Sequence, residues 1–453
     1  MNEKLTAQME RVKAEMVQEI ERYYGDLSQG YGDSTCKISG FERMMVNHQK
    51  RSEEIILKAT SEALSSVEEA EAKKCPECGG KLGRLKVGQA IGIKTLCGEI
   101  EIKRDYYYCR HCGYGEMPLD ARLGIDEAKY GLTDEMRVEA AFYGQNQSSF
   151  DAAEKMIEKI YGMKISGETI RQVTEEIGQV VFEADAKSAQ EILKNMDKIN
   201  MADDSDKQAN TLYIMTDGAA VNTRVEDENG STWRENKTVI VFTDKNMINR
   251  KDGSHIITKK EYSALIGSAE EFKGFVLNTA LKAGYGQIKE VVVIADGAAW
   301  IRNMCGEIFP EATQILDLYH LKENVYTYAK ERFNQDEKQY VPCAERLIFL
   351  IENGEIDRAL DEIPEDDRGQ PKIVNLKTYL KNNRDKINYP EYRKRGWFVG
   401  SGAIESANKT IVQRRLKQAG MRWIVAGAQA LLSLRCKVES GLWDREVHDR
   451  ICT

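Results

Sequence analysis

Four apolar runs in the second half of the chain, TLYIMTDG, KTVIVFTD, KEVVVIADG and TQILDLYH, each lead into a turn that carries an aspartate. Runs this short, and this rich in β-branched residues, read as buried strands. Helical stretches lie between and after several of them. The mixture predicts an α/β sheet whose buried strands end at one edge, with their aspartates there.

At 453 residues the chain exceeds one ordinary domain, and about two to four domains are expected. Residues 1–73 contain no proline and are rich in Glu, Lys, Ala and Met. TAQMERVKAEMVQEIERYY and RSEEIILKATSEALSSVEEAEAKK read as helices without a clean heptad, a dimerising or DNA-contacting arm. Residues 74–120 change texture, with glycines, alternating segments such as AIGIKTL, and two cysteine pairs, so a small zinc-ribbon-like β module is expected. Residues 121–200 turn helical again. Within them SSFDAAEKMIEKIYG, MKIS and GETIRQVTEEIG read as helix, turn, helix, with Ser166 as an N-cap. Such a pair is either a DNA reader, with Arg171 and Gln172 the sort of side chains that read base edges, or part of a plain bundle.

The acidic MADDSDKQAN marks a boundary. The strand-bearing part follows at 208–320, then an all-helical insertion at 321–394, then 395–453, where GSGAIESANKTIVQRRLK reads as a long helix. Formal net charge is −8, so a nucleic-acid surface must be a local patch. No window approaches ~18 consecutive apolar residues, the length a membrane span needs. MNEKLTAQMERVKAEM lacks the apolar core of a secretory signal, and a cytoplasmic protein with no membrane partner is expected.

Cys75-Pro-Glu-Cys78-Gly and Cys109-Arg-His-Cys112-Gly form a C-x₂-C…C-x₂-C pattern. Two residues between thiols let both sulfurs of a turn face one ion, and two such turns complete a Zn²⁺ tetrahedron. The glycine after each second cysteine permits the positive φ of that turn. Four thiolates leave no open position, so the zinc is expected to be structural. The module either helps grip DNA or only staples itself.

Asp217 and Asp296 are each followed by Gly-Ala-Ala, and Glu405 lies where a helix begins. One Asp-Gly after a strand is an ordinary turn. Two such strands paired side by side would bring both carboxylates together, and clustered carboxylates repel unless cations neutralise them. Hard oxygen ligands select Mg²⁺ or Mn²⁺. A pair of such ions can activate a water or a 3′-hydroxyl and steady the departing oxygen of a phosphodiester.

The segments IMTDGAAVNTR, WRENKTVIVFTD, VVVIADGAAWI, FPEATQILDLYHLKENV, GWFVGSGAIESANKTIVQRRLKQAGMRW and GAQALLSLR resemble the ISKra-type insertion-sequence transposases over roughly 211–440. Those are DDE transposases close to the Mutator-like group, with an RNase H-like core. The resemblance implies an RNase H-like core with an all-α insertion. It places the catalytic, Mg²⁺-holding carboxylates at Asp217, Asp296 and Glu405, and an Asp-x₂-His element at Asp317 and His320. It also implies a bacterial, nucleoid-associated protein that cuts and joins DNA, binds its terminal inverted repeats and target, and works as a homo-oligomer. A catalytically silent DNA-binding derivative, or a nuclease that cuts without joining, remain the alternatives. His320 either takes part in the site or makes a buried hydrogen bond with Asp317. Trp300 either stacks on a flipped base or packs in the core. Residues 391–437 are rich in Arg and Lys, and Lys409, Arg414, Arg415, Lys417 and Arg422 are expected to contact phosphates.

Overall fold

The computed structural model describes residues 3–33, 35, 37–65, 74–125, 128–199, 208–250, 255–364 and 375–452. Most of the boundary predicted at MADDSDKQAN, and residues 66–73 of the second N-terminal helix, lie outside the described residues. The chain divides into two compact units. One contains Met1–Gly144 and Ser149–Val173 with Cys452, the other Gln145–Ser148 and Thr174–Ile451.

In the first unit, α1 (Glu3–Gly32) and α2 (Ile38–Ser65) form an antiparallel hairpin. Polar contacts hold it. Buried Glu19 meets Arg51 at 2.5 Å and His48 at 3.1 Å, Arg11 pairs with Glu62, and Gln8 donates to the Ala59 carbonyl at 3.0 Å. The C-terminal half of α2 lies on an antiparallel ribbon of β1 (Leu82–Thr95) and β2 (Gly98–Cys109). Leu57 and Leu64 pack there against Ile93, Ile100 and Ile102. The Ser61 and Ser65 hydroxyls accept from the Glu101 and Lys103 N–H groups at 3.2 and 2.9 Å, so the outer edge of β2 is not left bare. A short β3 (Gly115–Glu116) pairs with β2, and α3 (Pro118–Leu123), α4 (Asp134–Asn146) and α5 (Phe150–Tyr161) follow. Ser149 caps α5 by accepting from Ala152, and Gly162, at φ 66°, ends it. Ser166 caps α6 (Gly167–Lys194) as predicted, accepting from the Thr169 N–H at 3.1 Å.

The second unit is built on a five-stranded mixed sheet. Its strands are β4 (Gln208–Asn222), β5 (Trp233–Thr243), β8 (Glu261–Ile266), β9 (Ile288–Ala295) and β10 (Thr313–Leu316), in the order β10-β9-β4-β5-β8. A separate two-stranded ribbon pairs β6 (Met247–Asn249) with β7 (His255–Ile257). β4 runs antiparallel to β5 and parallel to β9, and β10 is parallel to β9. The period of two sorts the strand residues onto two covered faces. Leu212, Ile214, Val239, Val241, Val291 and Val293 pack against α6, α7 (Ala269–Lys282) and α8 (Ala299–Ile308). Tyr213, Met215, Ile240, Phe242, Val292 and Ile294 pack on the other side.

That other layer is mainly helical, with Met247 and Ile257 of the β6–β7 ribbon packed against it. It contains α9 (Leu318–Arg332), α10 (Glu337–Glu352), α11 (Ile356–Glu362), α12 (Leu376–Asn382), α13 (Tyr389–Lys394) and α14 (Gly402–Asn408). α14 continues through a π-helical stretch (Lys409–Gln413) into α15 (Arg414–Leu416). α16 (Val425–Glu439) covers the edge strand β8. There the Gln429 side chain accepts from Ile266 N–H and donates to the Ala264 carbonyl, taking the place of a neighbouring strand.

One expectation is corrected. Asp217 does not end its strand. β4 runs on to Asn222 because β5 keeps pairing with it back to Trp233. Since β5 is antiparallel, with Thr243 opposite Leu212, the aspartate that follows it, Asp244, lies toward the opposite edge of the sheet.

Candidate functional site

The parallel register of β4 and β9 sets Met215 opposite Ile294. Two residues further along both chains stand Asp217 and Asp296, which therefore sit side by side. Next to β9, β10 pairs Leu316 with Ala295, and the Asp317 N–H donates to the Ala295 carbonyl at 2.8 Å, so a third aspartate follows in the same row. The chain turns sharply after Asp296 at Gly297, φ 87°, where a Cβ would lie 2.7 Å from a Leu316 methyl. The Asp296 carboxylate accepts from the Ala298 N–H at 2.9 Å, and the Tyr379 hydroxyl donates to the Asp296 carbonyl at 3.1 Å.

Helix α14 carries Glu405, and one turn later Asn408 donates to Asp217 Oδ2 at 2.7 Å. The Gly218 N–H holds the other Asp217 oxygen, also at 2.7 Å. The start of α14 is fixed by Asp317. This fully buried carboxylate accepts from the Ser401 N–H at 2.8 Å and the Ser401 hydroxyl at 2.7 Å, and it caps α9 through the N–H groups of Tyr319 and His320. His320 Nδ1 approaches it at 2.5 Å. Ser401 Oγ also lies 3.4 Å from Glu405 Oε1. The Asp-x₂-His element thus joins the end of β10, the start of α9 and the start of α14 in one hydrogen-bonded knot.

The electrostatics follow from that crowding. Burial raises the Asp217 carboxyl above its ordinary range and the Asp296 charge adds to it, against the pull of the Gly218 N–H, His320 and Asn408. Burial would also raise Asp317, but His320 and Ser401 overcome it and hold the carboxyl low. The Asp317 hydrogen bond is the main cause that lifts His320 to about 9, opposed by burial and aided by the charges of Asp217 and Asp296. A desolvated aspartate beside a second one fits a divalent cation, which would relieve both burial and repulsion. The three carboxylates do not, however, draw an oxygen each to within 4.8 Å of one another.

The second candidate centre is in the first unit. Cys75, Cys78, Cys109 and Cys112 bring their four sulfurs within 4.8 Å of one another. Cys75 and Cys112 lie 3.5 Å apart, Cys78 and Cys109 3.6 Å. A tetrahedron with Zn–S near ~2.3 Å needs an edge of ~3.8 Å, so the set fits. The two turns repeat one pattern. Gly79 donates to the Cys75 carbonyl and Gly113 to that of Cys109, both at 2.9 Å, with φ of 70° and 82°. Backbone N–H groups of Cys112 and His111 bring the Cys109 thiol down to about 6, whereas burial and the neighbouring thiols raise Cys78 and push Cys112 up to about 12, a crowding of thiolates that a cation would relieve. The group can therefore bind a metal such as zinc.

The remaining predicted residues fall in different settings. Lys409, Arg414, Lys417 and Arg422 are exposed. Arg415 is 1% exposed, with its guanidinium 5.2 Å from the Trp423 ring, so it is not available to a phosphate. Lys417 reaches over the Trp233 ring at 6.0 Å. Trp300 is half-buried against the core and packs edge-on to Phe272 at 6.4 Å, with the Lys237 ammonium 5.4 Å above its ring. Arg171 and Gln172 both bond Glu168 on their own helix. Asn408, Ser401 and Tyr379 were not anticipated. Asn408 alone left a signal, because Glu405 and Asn408 are spaced to share a helix face.

The profile of a family described as "Uncharacterised protein family (UPF0236)" matches residues 48–450. A UPF0236 protein of Caldanaerobacter subterraneus subsp. tengcongensis, whose name joins eleven loci, is 23% identical over 78% of this chain and 69% of its own length. A Streptococcus gallolyticus protein named "UPF0236 protein in vanSb 3'region" is 22% identical over 81% of this chain and 76% of its own. Among solved structures, the "Drosophila P element transposase strand transfer complex" matches with a TM-score of 0.35 and 10% identity, over 69% of this chain and 94% of the other.

Proposed function

The chain belongs to the UPF0236 family, and from that premise we propose that it is an ISKra-type DDE transposase with an RNase H-like core, which cuts and joins DNA at Asp217, Asp296 and Glu405. The observation that carries this reading is the pairing of β4 with β9, which sets the two aspartates side by side while Asn408 ties the Glu405 helix to Asp217. The resemblance asks for that arrangement: two aspartates on neighbouring strands, and a glutamate on a helix that follows an α-helical insertion. The name of the Caldanaerobacter relative adds support, since one protein at eleven loci is the pattern an element that moves or copies itself leaves.

In this reading Asp217, Asp296 and Glu405 would hold Mg²⁺ or Mn²⁺, with Glu405 drawn in by the ions, and bound ions would supply activation of the attacking hydroxyl and stabilisation of the leaving oxygen. Asn408 and Gly218 orient the Asp217 carboxylate. Asp317 anchors Ser401 and so sets the helix that carries Glu405. His320 places a positive charge beside the two aspartates, suited to a phosphate. Lys409, Arg414, Lys417 and Arg422 grip the backbone of double-stranded DNA without reading its sequence. The helical arm, the cysteine module and the α5–α6 pair, with Arg171 and Gln172, bind the terminal inverted repeats.

The test is product mapping on a plasmid bearing candidate ends. Cut and joined products are expected, and Asp296→Ala should lower their rate by ~10³-fold or more, because a lost metal ligand removes several kcal/mol of transition-state stabilisation. Cutting without joining would reduce the protein to a nuclease, and binding without cutting to a silent DNA-binding derivative. Normal strand transfer by Asp296→Ala would reject these carboxylates as the site.

A further inference from the structure

The N-terminal α-hairpin has an apolar face that nothing else among the described residues of its unit covers. On α1, Val17, Ile20, Tyr24 and Tyr31 are 46–84% exposed. At 3.6 residues per turn they fall within an arc of about 60°. That arc lies about 130° around the helix from Gln8 and Glu19, which face α2. On α2, Ile38, Met45 and Ile56 are 53–85% exposed and fall within about 20° of one another, about 100° around from His48 and Arg51. Because the helices are antiparallel, rotation in the same sense along each brings both stripes to the same side of the hairpin. Leu57, Ser61, Leu64 and Ser65, which hold the β1–β2 ribbon, sit on a different flank of α2. The two stripes make one continuous surface.

We propose that this face is the interface with a second copy of the same chain, the two hairpins closing into a four-helix bundle. Its size supports that occupant. Weighted by their exposure, the seven side chains leave on the order of 800 Å² of apolar surface, what each partner brings to an interface of standard size. A monomer rarely leaves that much contiguous apolar surface in water. Charge argues against nucleic acid, since Lys13 is the one cation among the described side chains in the two arcs. The flat face of a two-helix hairpin is half of a four-helix core, and an identical face satisfies it isologously.

The experiment is sedimentation velocity on the full zinc-loaded chain, without DNA or divalent cations in the buffer, so that its outcome is independent of the transposase reading. A species of twice the 51.4 kDa chain mass is expected at micromolar concentration. Ile20→Glu/Tyr24→Glu on α1, and separately Met45→Glu on α2, should each raise the dissociation constant by about 100-fold or more, because an unpaired carboxylate would be buried in the bundle. Gln18→Glu and Lys50→Glu, exposed but outside the arcs, should leave it unchanged. Circular dichroism and one bound zinc per chain check that each variant is folded, and Tyr24→Ser provides a milder change. A wild-type chain that stays monomeric to about 100 μM, dimers that persist in folded face variants, or a monomer that instead floats with anionic vesicles would overturn the proposal.

Discussion

Five donors surround the two oxygens of Asp317: the N–H groups of Tyr319, His320 and Ser401, the Ser401 hydroxyl, and His320 Nδ1. So saturated, a buried carboxylate stays ionised, and the imidazole that shares its hydrogen bond stays protonated. The folded His320 value of about 9 lies above its ordinary 6.5. The stabilisation it brings is therefore complete below pH 6.5 and is lost as pH rises through about 9. In metal-free protein, stability against denaturant should fall steadily over that interval, and His320→Gln should flatten the decline. A wild-type pH slope that His320→Gln leaves intact would show that the knot does not hold the proton. Sequence carried half of this knot. Asp317 and His320 stand three apart and were readable as a pair. Their other partner, Ser401, lies 84 positions from Asp317, and Asn408 lies 191 from Asp217. Such contacts exist only once the sheet has formed, and no local pattern encodes them.

Among the elements, the cysteine module was the most legible, because metal chemistry dictates both the spacing and the glycines, and Gly79 and Gly113 take up the positive φ expected of them. The purified protein should hold about one zinc per chain, and Cys75→Ser/Cys78→Ser should lose it. Since structural zinc is folding free energy for so small a module, the loss should also expose 74–120 to proteolysis while the second unit still melts cooperatively. Zinc content unchanged in that variant would reject the site. The strands that lead to Asp217 and Asp296 were legible in kind but not in extent. Asp-Gly after an apolar run reads as a turn, yet Gly218 to Asn222 stay in the sheet because Lys237 to Trp233 lie opposite them, and a partner strand outweighs local turn propensity. The helical stretch after β10 was readable from its charged, strand-free texture. That α14 would pass through a π-helical turn before α15 was not, since the β-branched Thr410, Ile411 and Val412 lower helix propensity there without specifying a π turn.

Across the whole molecule, a chain of net charge −8 can bind DNA only through a local cationic surface, and burial decides which basic residues belong to it. Arg415, Arg435 and Lys437 are buried. Arg435 spends its donors on the carbonyls of Ile411 and Gln145, and Lys437 on Asp185 and Glu446. The cations of 391–437 therefore divide by role. Inner ones brace α16 against its neighbours, whereas Lys409, Arg414, Lys417 and Arg422 are exposed, and the proposed phosphate contacts fall to them. The division has a measurable consequence, because each phosphate contact contributes about 0.9 to the slope of log affinity against log salt. Arg414→Ala/Lys417→Ala should lower the magnitude of that slope by about two and weaken binding alike on specific and random duplexes. Arg415→Ala should leave the slope unchanged, yet cost about 2 kcal/mol or more of stability, because its loss empties a packed site beside Trp423. If Arg415→Ala changed the slope as much as the double variant, the buried and exposed cations would not differ in role, and the DNA-gripping surface would have to lie elsewhere.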